Sequence, residues 1–515
     1  MRRHSAICRL ATVAVCLLSA TFSQAATTIH VPADQPTIQS AINAASNGDT
    51  VLVAPGTYLE NINFNGKAIT VESSNGAKVT IIDGGNVAPV VTFSTGETRS
   101  STLRGFTLQN GTSTFNSGYE GGGIVIDSAS PTIKSNIVQN NTACSAGGGI
   151  ALGFASPLIQ GNVVRNNSQL GCSGGVGGGG ISVRGASSAQ IIGNTIENNT
   201  WSSASGGGIS LFAAGSPLIK NNVIIGNSSS QGGGISMANE ADEVIVQNLI
   251  AKNSSPDGAE IYSGVPQSTT GFRLVNNTIL SNSASDAAVV ADGFNANAQI
   301  INNLIIAPAG ESALLCNPIY KDGPPIVQFN DAFTPQGNSC DGMCSGSSGT
   351  NGNMSADPKF ANTKANNYRV LGGSPVIDVG DNSAPNLPST DLAGNPRIIN
   401  GNGGASAIVD MGVYEFVPVV LAPKNVAFGL QAVGSTTSKT VKLTNAQDKI
   451  LNISSYSVPT GYSVSGCGSS VAAFTSCTLT VTFHPLTAGT FKGTLLVNDA
   501  AGDSPQTVSL SGSAQ

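Results

Sequence analysis

Between Thr132 and Ile305 the chain repeats a short pattern of apolar and polar positions. It is plainest where Ser156–Ser168 reads SPLIQGNVVRNNS and Ser216–Ser228 reads SPLIKNNVIIGNS. Aligned on the first asparagine, the copies place Asn136, Asn162, Asn194, Asn222, Asn248, Asn277 and Asn303 at intervals of 26, 32, 28, 26, 29 and 26 residues. An aliphatic residue stands three positions before each, from Ile133 to Ile300, and another two positions after, from Val138 to Ile305. A second asparagine follows five positions on, at Asn141, Asn167, Asn199, Asn227, Asn253 and Asn282. A degenerate earlier copy puts Gly105 and Asn110 in the two slots, and a later one has Asn330. Glycine runs ending at Ile124, Ile150, Ile181, Ile209 and Ile235 form a third landmark.

Short β-branched runs broken by Gly and Asn, with no helical period, predict strands and turns alone. A repeat built only of these is a parallel β-helix, with three short strands per coil and coils stacked about 4.8 Å apart. Asparagine suits its turns because it tolerates the left-handed conformation and because stacked amides hydrogen-bond as a ladder. Glycine permits corners where side chains would collide. The repeated asparagines are therefore read as architecture.

Both ends of such a stack need closing. At the N-terminal end, Ala33–Tyr58 predicts a short capping helix with Asp34 as cap, Pro36 in its first turn and Ile38, Ala41, Ile42 and Ala45 facing the first coil. At the other end, Ser374–Arg397 and Val409–Phe416 read as terminal, loop-rich coils. After Pro418 the pattern becomes alternating, as in TVKLTN, CTLTVTFHP and QTVSLSG, which predicts an antiparallel sandwich of immunoglobulin type. The expected organisation is all-β: a right-handed parallel β-helix over 26–417, a linker at 418–424 and a sandwich over 425–515.

Composition adds two constraints. Only 10% of residues are charged, the net charge is −6 and no basic run occurs, which argues against nucleic acid or an anionic membrane as partner. Arg2, Arg3 and Arg9, the apolar run Leu10–Ala20 and small residues at Ser23 and Ala25 read as a signal peptide over 1–25. No later run is long enough to span a bilayer. The expected location is extracellular, cell-surface or periplasmic.

Export makes disulfides the expected state of Cys144, Cys172, Cys316, Cys340, Cys344, Cys467 and Cys477. A Cys/His metal site is not expected, since His30 and His484 are the mature chain's only histidines. Cys144 and Cys172 fall in the same turn of adjacent coils and should pair. Cys467 should pair with Cys477. The partners of Cys316, Cys340 and Cys344 stay open.

Residues 26–416 resemble the pectin-lyase-like right-handed β-helix proteins, the opening GDTVLVAPGTYLENI being similar to their N-terminal coil. The closing GSPVIDVGD, DLAGNPR and VDMGVYEF resemble the end module of choice-of-anchor-Q surface proteins, and 425–515 resembles hydin-like immunoglobulin modules. The first resemblance implies a fold shared by pectate lyases, polygalacturonases, pectin esterases, phage tailspikes and proteins without shown catalysis. Fold alone does not choose among them.

The residues that would carry chemistry are sparse. Lyases of this fold use an Arg or Lys base beside calcium-binding carboxylates. Here Arg165 and Glu197 meet in successive coils as an expected surface ion pair, and Lys134 and Lys220 stand isolated. Asp127 and Arg184 share a turn position two coils apart, about 10 Å, a span that calcium or a uronic acid could bridge. Hydrolysis would need clustered aspartates. Asp286, Asp292, Asp322 and Asp331 lack matching registers, and Asp378, Asp381, Asp391 and Asp410 read as turn formers, with calcium binding the alternative. The turn before the glycine runs carries Phe115, Tyr119, Glu120 and Trp201, the only tryptophan. These read as one edge for stacking on a sugar, or as a ring covering a loose turn. The functional expectation is an exported surface protein that binds polysaccharide or a cell-surface glycan, or adheres, with no catalytic residue assigned and no cofactor beyond possible calcium. The alternatives are a lyase or glycoside hydrolase acting on uronic-acid-containing glycan, and a purely structural stalk.

Overall fold

A computed structural model describes residues 25–114, 121–172, 177–239, 242–264, 271–283, 285–293, 297–319 and 324–515. Apart from Ala25, the expected leader lies outside them. Successive coils contribute to three parallel sheets of twelve, eleven and eleven strands, and five coils add a strand to a fourth sheet running from Thr112–Ser113 to Ser228–Gln231. The result is a right-handed parallel β-helix.

Its interior is built from the aliphatic positions of the repeat. Ile133, Ile159, Ile191, Ile219, Ile245, Leu274 and Ile300 pair in unbroken register down one sheet. Val138, Val164, Ile196, Ile224, Ile250, Ile279 and Ile305 do so down the next. All fourteen are fully buried, and each such side chain contributes roughly 1.5–3 kcal/mol relative to exposure.

The asparagines form two interior ladders. From Asn136 to Asn303 each Nδ2 donates to the Oδ1 of the next rung at 2.9–3.2 Å, and the column continues through Asn330 to Asn353. Each backbone N–H donates to the same oxygen, so one amide satisfies two donors. The left-handed conformation falls not on these residues but on the one before each: Ser135, Gly161, Gly193, Asn221, Gln247, Asn276, Asn302 and Phe329 in the first column. Before the second column it falls on Asn140, Asn166, Asn198, Gly226 and Lys252. The two roles expected of one asparagine are thus divided between neighbours.

Two ladder positions differ from expectation. Thr107 pairs with Ile137, which puts Phe106 and Gly111, not Gly105 and Asn110, in the slots of the early coil. Their backbone N–H groups donate to Asn136 Oδ1 and Asn141 Oδ1 at 3.0 and 2.8 Å. The second difference is Asn282, which is exposed. The Glu260 carboxylate takes its place, accepting from Asn253 N–H at 3.1 Å and from Nδ2 at 2.5 Å. Gly123, Gly149, Gly180, Gly208 and Gly234 each lie against a ladder amide, where an added Cβ would come within 2.9–3.1 Å. One coil on, that glycine slot is occupied by Glu260, whose side chain fills the rung itself and leaves Asn282 outside.

At the N-terminal end the helix Ile38–Ala44, α1, buries Ile38, Ala41 and Ile42 over the first coil. Its cap is Thr37, in a capping box with Ser40, rather than Asp34. Asp34 instead accepts from His30 N–H at 2.7 Å. The Glu60 carboxylate accepts from the N–H groups of Ile38 and Gln39, and Lys67 Nζ donates to the carbonyls of Ile42, Asn43 and Ala45, each at 2.7 Å.

The segment 355–416 does not continue the coils. It folds back along the outside of the last ones, where outward positions turn apolar: Tyr368 and Val413 cover Leu249, Ala251 and Leu280, and Ala384 packs on Val246, Val275 and Ile301. Gln247, Asn276 and Asn302, in the left-handed column, bond to it through Thr390, Asp410 and Asp381. Beyond it, two antiparallel-rich sheets of four and five strands form the sandwich. The stretch expected as a linker supplies the edge strand Val419–Ala422, because Val419 and Leu421 alternate inward between the flanking prolines.

Candidate functional site

Of the aromatic edge, Phe115, Tyr119 and Glu120 lie outside the described residues. Trp201 is fully buried, which removes it from any binding surface. It sits in the strand Thr200–Ser205 of the fourth sheet, opposite Ser229. Among the described residues the indole N–H has no hydrogen-bond partner. The side chains left at this face are polar, with Ser202 Oγ donating to Gln169 Oε1 at 3.0 Å and Gln231 Nε2 to Asp257 Oδ2 at 3.0 Å.

Exposed aromatic surface lies instead at the corner after the eleven-stranded sheet that holds Ile124–Asp127, Ile150–Gly153, Ile181–Arg184 and Ile209–Phe212. Asp127 pairs in register with Gly153, and Gly153 with Arg184, so carboxylate and guanidinium are two strands apart across a residue without a side chain. Arg184 pairs next with Phe212, its guanidinium carbon 5.7 Å from the ring centroid. Ile126, Leu152, Val183 and Leu211 point inward along the same strands, which turns this column outward. Phe154, the next residue after Gly153, is 56% exposed and holds a left-handed backbone with φ 48°. That conformation costs a bulky residue roughly 1–3 kcal/mol. Its ring lies over Gly185, where a Cβ would come within 2.6 Å of Cδ1 and Cε1. The sites on either side of Phe154 in this column, Ser128 and Gly185, are small.

Several of the other charged residues have structural partners. Arg165 is held mainly by Gln139 Oε1, at 3.0 and 2.9 Å, and reaches Glu197 at 3.8 Å. Asp378 accepts from the N–H groups of Gly401 and Asn402, Asp391 from Ala393, Asn395 and Glu415, and Asp410 from Asp378 and Phe416. Arg397, 1% exposed, ion-pairs with Glu415 at 3.3 Å and donates to the carbonyls of Asp410 and Gly412. Burial pushes Asp410 up to about 7 and, with Asp410 beside it, raises Glu415 well above the usual carboxylate range. Burial likewise raises Asp331 to about 7, with Oδ1 accepting from Ala356 N–H. Asp381 caps the Ser383 turn, and Asp322 lies outside the described residues. Among the described residues no group of three His, Cys, Asp or Glu side chains is placed to hold a metal ion. Cys144 is bonded to Cys172, Cys316 to Cys344 and Cys467 to Cys477, with Cα separations of 5.4, 5.5 and 5.2 Å, and Cys340 is a buried free thiol.

Residues 122–305 match the family model described as right handed beta helix region, and 418–506 match that of the ASPM-SPD-2-Hydin (ASH) domain. The chain folds as a right-handed β-helix followed by a β-sandwich that is similar to the ASH domain. Neither match reaches 306–417, so the likeness of the end segment to a choice-of-anchor-Q module gains no support. No curated protein matches the sequence. Among solved structures, a Porphyromonas gingivalis W83 protein of unknown function aligns at 11% identity over 18% of this chain and 46% of its own, TM-score 0.17. The VesB protease of Vibrio cholerae aligns at 15% identity over 23% and 42%, TM-score 0.17. The chain thus spans less than half the length of these two. The ASH/PapD-like domain 7 of human CEP192 aligns at 16% identity over 20% of this chain and 96% of that domain, TM-score 0.17.

A β-helix and an ASH-type sandwich fit a structural or binding surface protein. Within the β-helix, sequence reading finds Asp127 and Arg184 but passes over Phe154 and Phe212. The signal was present as an aromatic in a column otherwise filled by Ser128, Gly185, Ala213 and Asn239. No described helix is long and apolar enough to cross a membrane.

Proposed function

We propose that the protein is exported and holds an elongated polysaccharide along the outer corner of the β-helix, binding it without cleaving it. The observation that carries this reading is the exposed Phe154 ring, kept in a costly conformation over Gly185 and flanked by Asp127 and Arg184. The left-handed backbone is common to this corner, at Ser128, Gly185, Ala213 and Asn239, so what sets the position apart is a large exposed ring where the other coils carry small or polar side chains. A sugar ring stacks on the aromatic face while its hydroxyls bond to the carboxylate and guanidinium, and the bare Gly153 leaves the chain room to lie between them. Binding rather than cleavage is favoured because the densest group of carboxylates, Asp378, Asp391 and Asp410, is engaged in structural hydrogen bonds. Export is supported by the N-terminal sequence and by three disulfides, which persist in oxidising compartments. The test is a panel of neutral and uronic-acid-containing polysaccharides incubated with and without calcium, following retention and unsaturated or reducing ends together. Retention without new ends supports the reading, and new ends without retention refute it.

A further inference from the structure

The edge strand Val419–Ala422 pairs on one side only, antiparallel to Thr437–Asn445. Ala446 N–H donates to the Pro418 carbonyl at 2.9 Å, which fixes the residues facing that partner as 418, 420 and 422. Asn445 N–H correspondingly points the other way, to the Thr475 carbonyl at 2.9 Å. Val419 and Leu421 therefore turn their N–H and C=O groups away from the sheet. Their side chains are buried in the sandwich core, so these backbone groups are held in place.

What they face is a groove between the sandwich and the end segment. It consists of two joined cavities of about 380 and 210 Å³ that share Asn395, Val417, Val419 and Lys424. Its apolar lining includes Val417 and Ile399, with Val420 39% exposed at the strand. Arg369 stands at one end, its guanidinium carbon 4.5 Å from the Tyr414 ring centroid, and Lys424 stands where the cavities join. Two carboxylates also line the cavities: Glu415, paired with Arg397, and Asp503, which burial raises to about 6; among the described residues neither Arg369 nor Lys424 is in an ion pair.

We propose that this groove receives an extended, acidic and apolar peptide segment of a partner protein, which adds as a strand to Val419–Ala422. Unpaired edge N–H and C=O groups are matched by another strand rather than by a helix or a compact ligand. An occupant alternating apolar and acidic residues sets its apolar side chains on Val417 and Ile399 and its carboxylates on Arg369 and Lys424. This inference is independent of the glycan reading and concerns a different part of the molecule.

The test uses the full chain and capped, fluorescent seven-residue peptides alternating Val or Ile with Asp or Glu, read by anisotropy. At least one peptide is expected to bind saturably. N-methylation at alternate backbone nitrogens, Lys in place of the acids, and the double variant Arg369→Gln/Lys424→Gln should each weaken that binding tenfold or more. Equal binding by the N-methylated peptide, or no binding by any member of the set, overturns the proposal. Concentration-dependent dimerisation that blocks every peptide overturns it in favour of a second copy of this chain.

Discussion

Glu260 shows how the solenoid absorbs a change of residue type at an interior position. Its carboxylate ends the second ladder by accepting both donors of Asn253, while Asn282 points to solvent. Glu260→Ala should therefore cost about 1–3 kcal/mol, because two buried donors lose their acceptor. Asn282→Ala should stay within about 0.5 kcal/mol, as surface substitutions do. Denaturant melts of the two variants check the pair. Glu243 is the opposite case, fully buried, with neither oxygen hydrogen-bonded to another of the described residues, and raised by burial to about 8. The unfolded chain releases this proton near 4.5 and the folded chain near 8, so stability from this site falls as pH rises through that window. Glu243→Gln should change little at pH 4 and gain on the order of 2–4 kcal/mol over the parent by pH 8. Melts of both proteins across that range measure it. The ladders were legible because aliphatic spacing fixed their register. Glu260 was not, since the asparagine it displaces sits at the expected spacing and only the lost glycine at 260 marks the change.

At the scale of elements, α1 is too short to hold itself together in water. Side chains of the next coil clasp both ends, Glu60 on two N–H groups and Lys67 on three carbonyls. Lys67→Met removes the cation from the helix C-terminus and leaves those carbonyls to water. Hydrogen exchange at Ala41 and Ala45 should accelerate about tenfold, with amides of the central coils unchanged. The helix itself could be read from Ile38, Ala41, Ile42 and Ala45, but its cap could not, because Asp34, Thr37 and Ser40 are all competent capping residues. Contacts from elsewhere in the chain misled the reading twice more. The segment 355–416 is short of periodicity because it braces the outside of the stack, and Val419–Ala422 hides between prolines that look like a linker.

For the whole molecule, a stack in which each coil touches only its neighbours offers a long, regular side and few enclosed cavities. Function then rests on departures from regularity. One such departure among the described residues is the exposed ring of Phe154, in a column of small residues and beside the widely separated charges of Asp127 and Arg184. Trp201, conspicuous in the sequence, is interior, and its replacement by Ala should cost roughly 3–5 kcal/mol of stability. The most direct measurement compares the affinity of the parent, Phe154→Ala and a stability control, Trp201→Phe, for whichever polysaccharide the panel retains, with thermal midpoints alongside. Phe154→Ala is expected to weaken binding about tenfold, the size of one lost stacking contact, at an unchanged or higher midpoint. Trp201→Phe should lower the midpoint and leave affinity as it was. Full affinity in Phe154→Ala, with binding lost only as the fold is lost, would contradict binding at this corner.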